Sequence, residues 1–331
     1  MLPLLVSCLP DEPLPRATRL HPVNGDVEPF ARAAVLCGPT ASGKSALAAV
    51  LAGRLGAEIL GADSQQVYRG LPVGTAQPEP ALLSRAPHHL IGFVDPPDRM
   101  TAALYGALAS ATAAKVRARG RRVLLVGGTG LYLRAALEGL FTGPAADPEL
   151  RARLAAGAER EGPAALHSRL AALDPETAAR LSPNDLARVV RALEVFERTG
   201  IPLSRHLAAH ERRRPEVLWL GLAPPRDELY RRIAERTARL YAGGLLDEAE
   251  RLRREDLLSW APARSVGYRD ALAHLRGELG LGDAIARTTR DTRRYAKRQL
   301  TWFRAVKDLR WLRFPPDVEE AASLLGEWWR G

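Results

Sequence analysis

The chain has only two cysteines, Cys8 and Cys37, and neither stands in a Cys-x-x-Cys spacing or beside a histidine cluster. A disulfide framework and a cysteine-built zinc site are therefore excluded. Long apolar runs are also missing: no stretch approaches the roughly 20 consecutive apolar residues that a membrane-spanning helix needs, so no membrane partner is expected. The opening MLPLLVSCLP is apolar but has no basic start, contains two prolines and is followed by no small-residue cleavage site. That pattern argues against a secretory signal and, with the scarcity of cysteine, for a reducing cytoplasm. Residues 1–31 carry six prolines and no sustained apolar period, and are expected to form a disordered extension outside the fold.

What is present is an ordinary globular composition, 46% hydrophobic and 26% charged, over 331 residues. That length exceeds what a single core comfortably fills, so one large α/β domain with an insert, or two domains, is expected. The run AAVLCGPTASGKSALAAVLAGRL, from Ala33, reads as a buried strand, a glycine-rich turn and an Ala/Leu-rich helix. Further short strands are expected at Glu58–Gly61, Arg122–Val126 and Val217–Leu222, with a helix over Thr101–Arg119. Strands alternating with helices imply an α/β fold with a mainly parallel sheet and flanking helices. From about Gly143 to Gly200 the pattern changes to short helices, with start signals at Asp147-Pro148, Asp174-Pro175 and Ser182-Pro183. The expected organisation is thus a core of residues 32–142 and 201–331 interrupted by a helical insert at 143–200. From Arg226 onward the core should be helical and basic.

Gly38-Pro39-Thr40-Ala41-Ser42-Gly43-Lys44-Ser45 matches the phosphate-binding loop G-x-x-x-x-G-K-[ST] at every position and has the required strand before and helix after. Its backbone N–H groups can wrap phosphate oxygens at a helix N-terminus, Lys44 can reach a terminal phosphate, and the Ser45 hydroxyl can hold Mg²⁺. A nucleotide hydrolase of this loop type needs a second acid at the end of a later strand. Here RRVLLV runs into Gly127-Gly128-Thr129-Gly130 instead, so the loop is expected to hold a phosphate-bearing molecule without the usual means of cleaving it with water.

Asp63, after the second strand, falls near the carboxyl edge of the sheet on the side of the phosphate loop, where it could be a helix cap, a group that holds a Mg²⁺ ligand in place or a general base. Thr129 brings a hydroxyl to the same edge, or belongs to a tight turn. Arg232 and Arg236 lie four apart, so both can face one way on a helix and reach a pyrophosphate, or line a solvated face. Arg264-Ser265-Val266-Gly267-Tyr268-Arg269 combines two arginines with an aromatic in a composition suited to an RNA backbone and a stacked base.

The net charge of +10 rests almost wholly on arginine, a bias that a GC-rich genome produces by itself, so its position matters more than its total. Between Ile285 and Phe314 there are ten basic and two acidic residues, which is eight of the ten net charges. At about 100° per residue, Arg290, Arg293, Arg294, Lys297, Arg298 and Arg304 share one sector, and Ile285, Thr289, Thr292, Ala296, Leu300 and Phe303 another. A packed side opposite a cationic side implies contact with a nucleic-acid backbone.

In order along the chain, GPTASGKS, DSQQVYRGLPVGTAQP (63–78), APHHL (86–90), VGGTGLYLRAAL (126–137), PNDLARVVRALEV (183–195), RSVGYR (264–269) and KRQLTWFR (297–304) together resemble the bacterial tRNA dimethylallyltransferases, also called tRNA isopentenyltransferases. The ordered set spans nearly the whole chain after residue 32. The resemblance implies a nucleotide-hydrolase-like P-loop fold and an enzyme that moves a dimethylallyl group from dimethylallyl diphosphate to the exocyclic amine of the adenosine 3′ of the anticodon. It implies Asp63 as the general base, Thr129 in the reaction channel, and the phosphate loop with Mg²⁺ on Ser45 and Arg236 as the pyrophosphate holders. Asp63, Ser64, Gln65, Gln66, Arg151, the stretch Ala187, Arg188, Val189, Val190 and Arg191, the stretch Arg264 to Arg269, and Lys297, Arg298, Gln299 and Arg304 correspond to tRNA-contacting positions. The insert corresponds to the domain that clasps the anticodon stem-loop, and a monomer is expected. Pro72 and Gln77 depart from the family's usual Asp and Lys, and the zinc-finger tail of eukaryotic members is absent. Three other readings share features of the chain: a P-loop small-molecule or nucleotide kinase, an adenylate prenyltransferase, and a non-catalytic RNA-binding protein. The first two have no use for the basic segment, and the third has none for Asp63, Thr129 and Arg236.

Overall fold

The computed structural model describes residues 28–141, 143–210 and 215–331. Most of the extension expected to be disordered lies outside them. Its last residues do not: Phe30 is buried in the core, so the fold begins ahead of the expected start.

Six strands form one parallel sheet in the order β3-β2-β4-β1-β5-β6. They are β1 (Ala34–Cys37), β2 (Ala57–Gly61), β3 (His88–His89), β4 (Arg122–Gly127), β5 (Leu218–Leu222) and β6 (Arg310–Leu312). The central strands AVLC and VLLV are apolar at every position because both faces of a parallel sheet are covered. Val35, Cys37, Val123 and Leu125 enter one core, and Ala34, Leu36, Leu124 and Val126 the other, as the two-residue period of a strand requires. The edge strands β3 and β6 lack that signal; at two and three residues they are too short to show a period, and Arg310 and Trp311 are exposed. The segment after Arg226, expected to be wholly helical, therefore carries one strand, held by its pairing to β5.

The helices around the sheet are α1 (Lys44–Leu55), α2 (Pro80–Leu83), α3 (Ala102–Ala118), α4 (Gly130–Leu137), α10 (Arg226–Leu240), α11 (Leu246–Arg254), α12 (Tyr268–Leu275), α13 (Leu281–Arg304) and α14 (Val318–Arg330). Helix α3 starts where Thr101 accepts the Leu104 amide at 3.1 Å, a side-chain N-cap. No helix among the described residues is long and apolar enough to cross a membrane.

Contacts divide the chain into two compact units, Met1–Glu138 with Arg214–Gly331, and Gly139–Arg213. The second holds α5 (Pro148–Glu161), α6 (Pro163–Leu173), α7 (Pro175–Ala179), α8 (Leu186–Thr199) and α9 (Leu203–Ala209) around its own apolar core. Asp147 and Asp174 cap α5 and α7 as their Asp-Pro signals predict. Ser182-Pro183 starts no helix; it forms a turn, and α8 begins at Leu186. The unit also runs past the expected boundary at Gly200, because the second carboxylate oxygen of Asp174 accepts the Ser204 amide at 2.9 Å and holds α9 to α7.

Candidate active site at the carboxyl edge of the sheet

In the sheet, β4 lies between β2 and β1, so the three segments that leave their carboxyl ends are neighbours. These are the Asp63 turn, the Gly128-Thr129 turn and the phosphate loop. The crevice at such an edge is where open α/β sheets bind ligands.

The phosphate loop has the backbone its sequence demands. Gly38, at φ 152°, passes so close to β5 that a Cβ there would lie 2.4 Å from the Leu222 carbonyl oxygen. Ala41 holds a positive φ of 64°, a strained conformation for a residue with a side chain. Lys44 is buried, and its ammonium donates to the Pro39 carbonyl at 3.2 Å. Burial lowers its pKa to about 8, against the upward pull of Asp63 and together with the repulsion of Arg236. The Ser42 hydroxyl is buried without a protein partner, as expected of a group that completes its hydrogen bonding on a ligand.

Asp63 settles one open alternative: its Oδ1 accepts the amides of Gln65 at 2.9 Å and Gln66 at 3.4 Å, so it caps a turn rather than a helix, and the turn orients the carboxylate. Thr129 links the two neighbouring turns. Its hydroxyl oxygen accepts the Ser64 amide at 3.0 Å, and its own amide donates to Ala62 at 3.1 Å. Tyr295 of α13 joins the same group. Burial pushes its phenol up to about 12, Asp63 adds to the rise, and hydrogen bonding with Thr129 and Gln299 works against it.

Across from the loop, α10 brings Arg232, Arg236 and Arg239 to a cavity of about 780 Å³ that Lys44 and Ser45 also line. Arg232 donates to the Ala41 carbonyl at 3.0 Å and lies over Phe314, so it braces the loop instead of standing free. Arg236 is half-buried; burial lowers its pKa, and the charge of Asp63 works in the opposite direction. The third wall is the stretch from Pro72 to Leu82. Glu248 of α11 holds it by accepting the Val73 and Gly74 amides at 2.8 Å each. The Gln77 amide donates to the carbonyls of Gln66 at 3.0 Å and Tyr68 at 2.8 Å. This wall is shaped by backbone contacts, and Gln77 acts as a staple within it. Gln66 is tied to the same wall through Ala76 at 2.8 Å.

Several residues expected at an RNA surface are elsewhere. Tyr268 is completely buried and donates to Glu248 at 2.5 Å. It supports the cavity wall and cannot stack on a base. Gly267 is buried beside it as the cap of α12. Val189 and Val190 belong to the core of the helical unit, because the apolar side of α8 must face it; their side chains reach no RNA. Gln299 is 5% exposed. By contrast, Arg264, Val266, Ala187, Arg188, Lys297, Arg298 and Arg304 are exposed, with Ser64, Gln65 and Ser265 partly so. Arg188 is paired to Asp185 at 3.3 Å. Arg269 bridges Asp270 and Asp291, and Asp291 also takes Arg294 at 3.3 Å. Arg293 is partly covered and lies over Tyr230.

In the helical unit, buried Glu194 receives both nitrogens of the Arg151 fork at 2.9 and 2.8 Å, Arg191 at 2.5 Å and the Asp147 amide at 2.8 Å. Against the upward push of burial, these hydrogen bonds hold its carboxyl at about 2. No local pattern singles out Glu194, Glu248 or Tyr295, since Arg151, the Val73 and Gly74 amides and Thr129, which they respectively meet, are distant along the chain.

A family model described as IPP transferase matches residues 66–306. The tRNA dimethylallyltransferase of Anaeromyxobacter dehalogenans (strain 2CP-C) is 50% identical over 293 residues, 88% of this chain and 98% of its own length. That of Myxococcus xanthus (strain DK1622) is 52% identical over 273 residues, 82% of this chain and 88% of its own. Among solved structures, the tRNA isopentenylpyrophosphate transferase of Bacillus halodurans superposes with a TM-score of 0.66 at 36% identity, covering 90% of this chain and 97% of that one. A eukaryotic dimethylallyltransferase acting on tRNA gives 0.70 at 25% identity, covering 87% and 75%. A match across most of the chain, with relatives at half identity, means that the chain belongs to the IPP transferase family.

Proposed function

We propose that the chain transfers the dimethylallyl group of dimethylallyl diphosphate to the exocyclic amine of the adenosine 3′ of the anticodon in tRNA, releasing diphosphate, and that it does so as a cytoplasmic monomer. The observation that carries this reading is the side-by-side placement of a phosphate loop, the Asp63 carboxylate and Thr129 at one sheet edge, with the arginines of α10 across a cavity from the loop. A kinase would use the same loop, but β4 ends in Gly127-Gly128-Thr129 with no acid to order a metal and water.

In this reading the donor's C–O bond breaks, its electron pair stays on the diphosphate, and the carbon bonds to the adenine nitrogen. Charge grows on oxygens held by Lys44, the loop amides and Arg236, where cations fixed in advance lower the barrier without reorganising. The adenine amine is a weak nucleophile because its lone pair is delocalised into the ring. Asp63, oriented by the Gln65 and Gln66 amides, takes its proton. Thr129 positions the base, which must leave its stack to enter. The Ser45 hydroxyl together with diphosphate oxygens suits Mg²⁺, a hard cation that keeps few protein ligands; among the described residues there is no cluster of His, Cys, Asp and Glu to hold it otherwise. When bound, Mg²⁺ would neutralise leaving-group charge. The tRNA is held by the exposed side of α13.

Mass spectrometry of nucleosides from unmodified tRNA incubated with the protein, Mg²⁺ and dimethylallyl diphosphate tests the reading. A dimethylallyl adduct on adenosine is expected. Phosphoryl transfer from ATP to a small acceptor, with no adduct, would replace it with the kinase.

A further inference from the structure

We propose that Gln299 is a positioning residue that clamps the phosphate loop to the Gly128-Thr129 turn, and that it does not contact RNA; the inference rests on the reaction proposed above. It sits on the helix that carries the exposed Lys297 and Arg298, yet its own side chain points into the protein. Both ends of its amide are engaged by main chain. The oxygen accepts the Thr40 amide at 2.8 Å, and the nitrogen donates to the Gly128 carbonyl at 2.9 Å. These partners fix which end is which, because a flipped amide would set N–H against N–H and oxygen against carbonyl.

The turn is shaped around this side chain. A Cβ on Gly128 would lie 2.2 Å from the Gln299 nitrogen, and one on Gly130 would lie 2.2 Å from the Trp302 ring, one turn further along α13. Helix α13 is therefore seated on the whole Gly128–Gly130 turn, and Gln299 is the point at which that contact crosses to the phosphate loop.

The clamp matters because the reaction joins two atoms held by different loops. The donor rests on residues 38–45, and the adenine rests against Asp63 and Thr129. Beyond the last strand hydrogen bonds the two loops need a cross-link of their own, and a misplacement of about 1 Å between reacting atoms can cost roughly a hundredfold in rate.

The test uses the full chain and single-turnover prenylation at saturating tRNA and donor, with filter binding of tRNA and thermal unfolding alongside. Gln299→Ala should slow the chemical step by about a hundredfold with tRNA affinity and thermal midpoint unchanged. Gln299→Glu keeps shape and the acceptor for Thr40 but turns an oxygen toward the Gly128 carbonyl, and should also slow it. Gly128→Ala should slow wild-type chemistry by displacing the glutamine, yet cost far less in the Gln299→Ala background, since residues that act as one unit are not additive. Weaker tRNA binding with an unchanged saturated rate in both Gln299 variants would overturn the proposal in favour of an RNA contact, as would additive losses in the cycle. If the wild-type protein prenylates no tRNA, the proposed reaction fails separately. The clamp is then read from binding of inorganic pyrophosphate, which Gln299→Ala must weaken for it to stand.

Discussion

The two cationic regions of this molecule are built in opposite ways. Around the phosphate loop the leading positive groups are held in place by the protein: Lys44 is buried on the Pro39 carbonyl, Arg232 is fixed to Ala41, and Arg236 is half-buried. Along α13 they are many and stand in solvent, with Lys297, Arg298 and Arg304 exposed and Arg294 leaning on Asp291. Enclosed charges act at short range, escape screening and can be aimed at a leaving group. Exposed charges are screened within about 10 Å at 0.1 M salt but exchange counterions with a polyanion. Under the proposed function the work divides accordingly, chemistry at the first region and RNA retention at the second.

The sharpest test of this division acts on the enclosed side. Asp63→Asn keeps the turn's hydrogen bonding and removes the proton acceptor, so single-turnover prenylation should fall by about two to four orders of magnitude while tRNA affinity holds. A near-normal rate would reduce Asp63 to a turn cap. Arg236→Met, next in size, should lower the rate by about a hundred- to a thousandfold, again without loosening tRNA; equal losses in rate and tRNA affinity would blur the two regions into one.

The exposed side should respond in the complementary sense. Replacing Arg294, Lys297 and Arg298 by Gln should weaken tRNA binding broadly across sequences. Each of Lys297 and Arg298 should flatten the slope of log affinity against log salt by about 0.7 to 0.9, with Arg294 contributing less because Asp291 already holds it. Donor binding should not change. Filter binding over a salt series reads this, and an unchanged slope would make the stripe mere solvated surface.

The smallest effect separates the regions by pH. Lys44 in the free protein has a pKa of about 8, below that of an ordinary lysine, so raising the pH through 8 removes the charge that meets the diphosphate. Donor affinity should be flat below that point and fall above it, by up to about tenfold per pH unit. Affinity for tRNA, which under the proposed function rests on exposed cations outside this pocket, should not follow. Calorimetric titration of the donor across pH 7 to about 9.5 checks the sign, and a donor affinity that rises over this range would contradict the enclosed lysine.

Local sequence sufficed wherever the structure is decided by neighbours in the chain. The strand, loop and helix around Gly38–Ser45 follow from an apolar run, obligatory glycines and a helix former within about twenty residues. Asp147 and Asp174 announce their helices in the same way. The net cationic side of α13 also follows from the helical period alone. Tertiary structure alone decided which polar residues look inward. Gln299 directly follows two exposed cations, Lys297 and Arg298, in sequence, and only the approach of Thr40 and Gly128, both more than 170 residues away, turns it from a surface amide into a buried bridge. Tyr268 reads as a stacking aromatic until Glu248 and the Gly74 turn close over it. Val189 and Val190 read as part of a contact stretch until α8 chooses its packed side. The physical reason is common to all of these. A hydrogen bond or a buried face needs a partner, and sequence specifies a partner only when it is a few residues away; when it lies across the sheet, its position is set by the packing of the whole domain.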